Sequence, residues 1–277
     1  MRTAGSALLV IAALLLASVA GPALWLQRNV VDQDGFVALA GPLGSNKEFQ
    51  DGLFSMVAAQ SAASLNLPPQ LQNLAAAVIN STAQSLHTDP GYPQAWTDTL
   101  ARSHSLSLSA AGNKEIQGDL QLDVAPLVAM VANRVSKDVG VTIPTPEDVV
   151  VSLEQPQAAR LLPMATTLGG WSGPIALIAV GLLVLGVLVA RRRSLTAILA
   201  GAGLALVALV WLLASGVVET VLANLAVGPE AASQMGAQLA LLAQDSWQGG
   251  ITATFVAAAV VAAAGVICLI VAPRRTT

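Results

Sequence analysis

Asp32 and Asp34 stand one residue apart, and His87 and His104 are the two imidazoles of the chain. Two carboxylates at that spacing can converge on a hard cation. A histidine can ligate a metal or act as a general base near neutral pH. Neither pattern comes with its usual companions. No glycine-marked calcium loop follows the aspartates, so a helix N-cap and a charge that balances Arg28 account for them. The histidines lie on different expected helices and lack the H-E-x-x-H spacing of a helical zinc site. His104 follows Trp96 and Leu100 at four-residue intervals, which puts it on an apolar helix face as a core residue. His87, near a helix end, reads as a partner of the helix C-terminal dipole. The serines form no G-x-S-x-G elbow, and "SHSLSLS" (103–109) reads as a helix end. "GAG" at Gly201–Gly203 has neither P-loop nor dinucleotide context. The single cysteine, Cys268, excludes an internal disulfide and paired-cysteine zinc sites. No catalytic, cofactor-binding or metal-ligating residue is therefore assigned, and neither a cofactor nor a nucleic-acid partner is expected. An enzyme would need scattered groups, such as His104, Asp98 and Asp123, gathered into one pocket.

The elements that would position these residues begin after Arg28. Asp34 can cap a short helix starting at Gly35, with Phe36, Val37 and Ala40 facing inward. "GPLG" breaks it. Ser45 as N-cap and Glu48 three residues on then form a capping box, followed by Phe49, Leu53, Met56 and Val57 on one face. The "NLPPQ" break opens a helix whose apolar face is Leu71, Leu74, Ala75, Val78, Ile79 and Leu86. After the "DPGYP" turn, with Pro93 at the first helical position, Trp96, Leu100, His104 and Leu108 line a further helix. At Ile116 the period becomes two. Ile116, Gly118, Leu120 and Leu122 alternate with Gln117, Asp119, Gln121 and Asp123, as in a half-buried strand. "VAPLVAMVANRVSKDVG" reads as a helix ended by Gly140, and Val149–Leu153 as a second strand. Gln155–Leu168 should lead helically toward the next apolar run, with Pro163 as a kink.

The composition belongs to the membrane class. The 277 residues are 55% hydrophobic and 10% charged, with a mean hydropathy of +0.68, whereas a soluble domain carries about 25% charged residues. Crossing the hydrocarbon core takes roughly 20 apolar residues. Ser6–Leu26, Trp171–Ala190, Leu195–Ser215 and Ile251–Ala272 qualify, and none contains Asp, Glu, Lys, Arg or His. Arg2, Arg191–Arg193 and Arg274–Arg275 adjoin these runs, each cluster at one end only. The positive-inside rule puts all three clusters in the cytoplasm. The expected order is an N-terminal anchor (1–27), an extracytoplasmic domain (28–170), a span (171–190), a cytoplasmic turn (191–194) and a span (195–215). An extracytoplasmic amphipathic loop (216–250), a fourth span (251–272) and a cytoplasmic tail (273–277) complete it. "ASVAGP" offers small residues for signal peptidase near Ala20, but the apolar run continues to Leu26, longer than a signal h-region of about 7–15 residues; an uncleaved anchor is the preferred reading. Trp25, Trp171, Trp211 and Trp247 fall near expected outer ends, where interfacial anchoring explains them. Gly201–Gly203 and the small face Ala258, Ala262 and Gly265 suit close helix packing. Val221, Leu222, Leu225, Leu239 and Leu242 should face apolar surroundings in the outer loop. The fold class expected is an α-helical integral membrane protein with four transmembrane helices. Its extracytoplasmic domain should be mainly helical, α+β, with a small two-stranded sheet.

"PALWLQRNVVDQDGFVALAGPLGSNKEFQDGL" resembles the start of a family of uncharacterised actinobacterial multi-pass membrane proteins. Their N-terminal span leads into an Arg-x-Val-x-Asp-x-Asp-like entry. A helical outside domain follows with Trp and His on one helix (here Trp96 and His104), then a strand–helix–strand element (Ile116–Leu153) and clustered spans with an Arg-rich inner turn (Arg191–Arg193). The chain departs from that pattern at Gly35, where a charged residue is expected. The resemblance implies topology and localisation to the cell membrane with both termini cytoplasmic, and no reaction. Between 28 and 170 there are 7 Lys/Arg and 13 Asp/Glu, a net of −6. The functional expectation is a membrane-anchored envelope protein, not an enzyme, whose outside domain binds, senses or scaffolds a partner. The bilayer, an envelope protein and a homo-oligomer are the partners considered. The alternative is a transporter or channel component, or an envelope enzyme with a site built from scattered residues; the spans lack the midplane ionisable groups that transport usually requires.

Overall fold

The computed structural model describes residues 2–64, 81–83, 85–112, 120–140, 142–153, 156–225 and 230–271. The chain is mainly helical and divides into two compact units. One comprises Val31–Met164 and Leu222–Leu242; the other comprises Met1–Val30, Ala165–Val221 and Ala243–Thr277.

In the first unit α2 (Gln33–Ala40) starts two residues earlier than the sequence suggests. Asp32, not Asp34, is its cap: the backbone of Asp32 is extended, and its carboxylate accepts the Gly35 N–H at 2.9 Å. Asp34 lies in the first turn, where its charge favours the helix dipole. A 3₁₀ turn at Gly41–Ser45 absorbs Ser45. The cap of α3 (Lys47–Ser64) therefore falls to Asn46, whose Oδ1 accepts the Phe49 N–H at 3.0 Å. After a short 3₁₀ turn at Leu86–Thr88 comes α4 (Tyr92–Gly112). Strand β1 (Gln121–Asp123), α5 (Ala125–Val139) and β2 (Val150–Ser152) follow. Of the strand expected from Ile116, residues 116–119 lie outside the described residues, as do residues 71–80 of the expected helix.

β1 and β2 pair antiparallel with Leu122 opposite Val151. The bonds Val124 N–H to Val149 O (2.8 Å) and Leu153 N–H to Leu120 O (2.9 Å) extend the ladder. α5 sits between the strands in sequence and buries Leu127, Val128, Val131, Ala132 and Val135, a single face at helical spacing. It ends where Gly140 takes φ 73°, a left-handed conformation that costs glycine nothing. The core joins this face to Leu43, Leu53, Phe54, Trp96, Leu100 and Leu122. Leu239 and Leu242 also pack against it. Leu239 and Leu242, expected to face apolar surroundings, thus do so from the helix that covers residues 230–271; the side chains of Val221, Leu222 and Leu225 lie outside the described residues.

Four helices carry the second unit: α1 (Arg2–Leu26), α6 (Pro156–Val189), α7 (Arg193–Leu225) and α8 (Glu230–Val271). All four are long and apolar enough to cross a membrane, over Thr3–Val31, Ala159–Val189, Arg193–Gly216 and Gly236–Val271. Their length and apolar composition are those of the spans of a multi-pass membrane protein. α6 runs unbroken through Pro163. The small residues face other helices, as expected. A Cβ on Gly201 would lie 2.7 Å from the Ala258 carbonyl oxygen and 2.8 Å from Ala262 Cβ, and one on Gly265 would lie 2.8 Å from the Ser194 carbonyl oxygen. Ser6 is buried and donates to the Gly186 carbonyl at 2.7 Å, which joins α1 to α6.

Three of the four indoles expected to anchor at the interface pack on one another. Trp247 meets Trp25 edge-on at 6.2 Å and Trp211 at 5.4 Å. Trp211 donates to the Ser18 carbonyl at 3.1 Å, and Trp25 to Ser246 Oγ at 3.2 Å. The absence of a side chain at Gly21 leaves room for the Trp211 ring. Trp171 alone is largely exposed, as an anchor would be.

Candidate functional site

The densest polar arrangement of the first unit surrounds Asp123. Strand alternation puts this residue on the solvated face with Gln121, yet it is 2% exposed. The reason is its place at the end of β1. Oδ1 accepts the N–H of Ala125 (3.0 Å) at the start of α5 and that of Val149 (3.2 Å) beside β2. Its own N–H donates to Ser103 Oγ at 2.9 Å. Arg102 Nη1 lies 3.5 Å from Oδ2 and also donates to the Glu147 carbonyl at 3.0 Å. A buried carboxylate is stable only when its lone pairs are met by donors and an opposite charge, and here they are.

Ser103 and Ser107 complete the arrangement. Four residues apart on α4, they face β1 and occupy its outer edge. Ser107 Oγ bridges the N–H and carbonyl of Gln121 at 3.4 Å, and Ser103 Oγ also donates to the Thr99 carbonyl at 2.6 Å. The "SHSLSLS" stretch (103–109), read as a helix end, lies in the C-terminal half of α4, and two of its serines bond the β1 backbone. Its four-residue serine spacing was the available signal.

Arg102 separates two open clefts. The smaller, about 310 Å³, is lined by Gln33, Ser105, Asp123 and Asp148 as well as Arg102. The larger, about 870 Å³, shares Arg102 and Asp148 and adds Asp98 and Glu147 at its rim. Its floor includes Ala95, Pro126, Ala129 and Met130. Asp98 also accepts a hydrogen bond from Gln94 at 2.9 Å.

His104 lines neither cleft. It is buried and stacks on Phe36 at 5.0 Å, on the same face as Trp96 and Leu100. His104, Asp98 and Asp123 therefore do not share a pocket. His87 is exposed in the Leu86–Thr88 turn, its ring 6.1 Å from Phe54. Among the described residues no three His, Cys, Asp or Glu side chains come together as a metal-holding group.

A second polar knot pins the Gly41–Ser45 turn. Trp96 donates to the Gly41 carbonyl at 3.1 Å, and Tyr92 and Gln50 donate to the Gly44 carbonyl at 3.0 and 2.6 Å. A Cβ on Gly44 would come within 2.5 Å of the Trp96 ring. Burial pushes the Tyr92 hydroxyl up to about 12, partly offset by its hydrogen bond with Gln50.

Comparison with family models, curated proteins and solved structures gives no match.

Proposed function

We propose that the chain is a cell-membrane protein with both termini in the cytoplasm, and that the unit built on Val31–Met164 works on the extracytoplasmic side by binding an envelope partner. One observation carries this reading: the segregation of charge. Every arginine outside 28–170 adjoins an apolar run at the end assigned to the cytoplasm, while 28–170 itself carries a net of −6. The positive-inside rule turns the first fact into an orientation. The second favours cationic or neutral partners over anionic headgroups. The polar cluster at Asp123 supports binding over turnover, because its donors and acceptors are engaged in holding α4, α5 and β2 together.

The test is photo-crosslinking in intact cells, with the crosslinker on the exposed Glu147 of the full-length protein. Capture of a discrete envelope protein that declines as salt rises is the expected result, since exposed charges are screened within about 10 Å at 0.1 M. Substrate turnover by the purified protein, abolished by changing a single carboxylate or histidine without loss of folding, would defeat the reading.

A further inference from the structure

We propose that the larger cleft is the docking groove, and that its occupant is a basic, partly apolar polypeptide segment in which Lys or Arg residues are interleaved with small apolar ones. The proposal rests on the binding role just stated and gives it a place and a chemistry. Three carboxylates edge the groove: Asp98 from α4, and Glu147 and Asp148 from the approach to β2. All three are exposed. The one cation among its lining residues, Arg102, is already committed to Asp123 and to the Glu147 carbonyl. The groove therefore presents three exposed carboxylates, not balanced by Arg102, beside apolar lining residues that include Ala129 and Met130.

The rim carboxylates do not gather into a metal-holding group with any third ligand among the described residues, so they suit positive charges spread along a chain better than a point cation. The groove is open, so it can admit a segment that enters and leaves, where a small molecule binds best when mostly enclosed. An acidic rim repels an anionic lipid surface. Charge complementarity of this kind governs approach and register, while the apolar floor supplies the contact area.

The experiment uses the full-length protein in lipid nanodiscs and a fluorescent peptide that alternates lysine with alanine and leucine, read by anisotropy. Saturable binding is expected. Asp98→Asn, Glu147→Gln and Asp148→Asn should each weaken it about two- to fivefold, the range for an exposed charge pair. Ala129→Arg, which fills the floor and brings its own cation, should weaken it further. Asp51→Asn removes the same charge from an exposed site on α3 and should leave binding unchanged; melting curves confirm that each variant folds. No binding by the unmodified protein, or an equal loss in Asp51→Asn, would overturn the groove. A protein that still captures its partner in cells while ignoring the peptide removes the groove and leaves the binding role. Loss of capture in cells removes the role itself.

Discussion

In the unit built on α2–α5, the wholly buried positions include many large side chains, among them Leu43, Leu53, Leu100, Leu122 and Leu127. In the unit of α1, α6, α7 and α8, the buried positions are mostly small, among them Ala13, Ala23, Ala200, Ala208 and Ala258. Its large aliphatics point outward; Leu177 is 75% exposed and Ile270 76%. Water drives leucine inward because removing its surface from water is favourable. Hydrocarbon gives no such drive, and helices in it associate through close backbone approach at small residues. The same chain thus follows two packing rules, and the difference marks which solvent each part is built for. Polar bonding divides the same way. The first unit closes its turns and strand edges with side chains such as Asp123, Ser107 and Tyr92, while the second contains single cross-links such as Ser6 to the Gly186 carbonyl.

The contrast breaks first, and most visibly, at leucine. Leu100→Ala should cost about 2–5 kcal/mol, the loss of a buried aliphatic plus its cavity. Leu177→Ala, at 75% exposure, should stay within about 0.5 kcal/mol. Denaturant melts of both variants in one detergent decide this; equal losses would erase the distinction. Glycine gives the next largest effect, present at a helix contact and absent on open surface. Gly201→Val would push its Cβ within 2.7 Å of the α8 backbone at Ala258 and Ala262 and should cost about 1–3 kcal/mol by overpacking. Gly181→Val, with nothing within 4 Å, should melt close to the parent. A smaller effect sharpens the account of the first unit. The Tyr92 hydroxyl rises from 10.0 to about 12 on burial, so the folded state favours the protonated form. The stability this contributes is full below pH 10 and is lost as pH climbs through about 12. Tyr92→Phe should lower stability at neutral pH, because the bond to the Gly44 carbonyl goes, yet flatten the alkaline decline. A decline of unchanged steepness would assign it to another group.

What was legible in the sequence follows the same division. Period and punctuation revealed α5, stopped by Gly140, the strand pair, the His104 face, and the small-residue contacts of Gly201 and Gly265. These signals are local: a helix face or a left-handed glycine is specified within a few residues. The misses are long-range. Asp123 looked solvated because alternation cannot foresee donors arriving from Arg102, Ala125 and Val149. The clustering of Trp25, Trp211 and Trp247 was not legible because 186 and 36 residues part them in the chain, and only the fold brings their rings together. Leu239 and Leu242 do meet apolar surroundings, as their pattern suggests, but which surface they meet was not legible because the core they join lies more than 80 residues upstream. Asn46 displaced Ser45 because a 3₁₀ turn shifted the helix start by one residue, a boundary effect that spacing does not resolve.

The orientation of the chain is the claim on which the functional reading depends, and cysteine accessibility tests it directly. With Cys268 replaced by serine, a single cysteine is placed at the exposed Ser45 of the first unit or at Ser194 between α6 and the body of α7. An impermeant maleimide is applied to intact cells, and permeabilised cells report the total. Labelling of Ser45→Cys from outside, with Ser194→Cys reacting only after permeabilisation, is the predicted result. Labelling of Ser194→Cys on intact cells, with Ser45→Cys protected, would invert the topology and take the extracytoplasmic binding role with it.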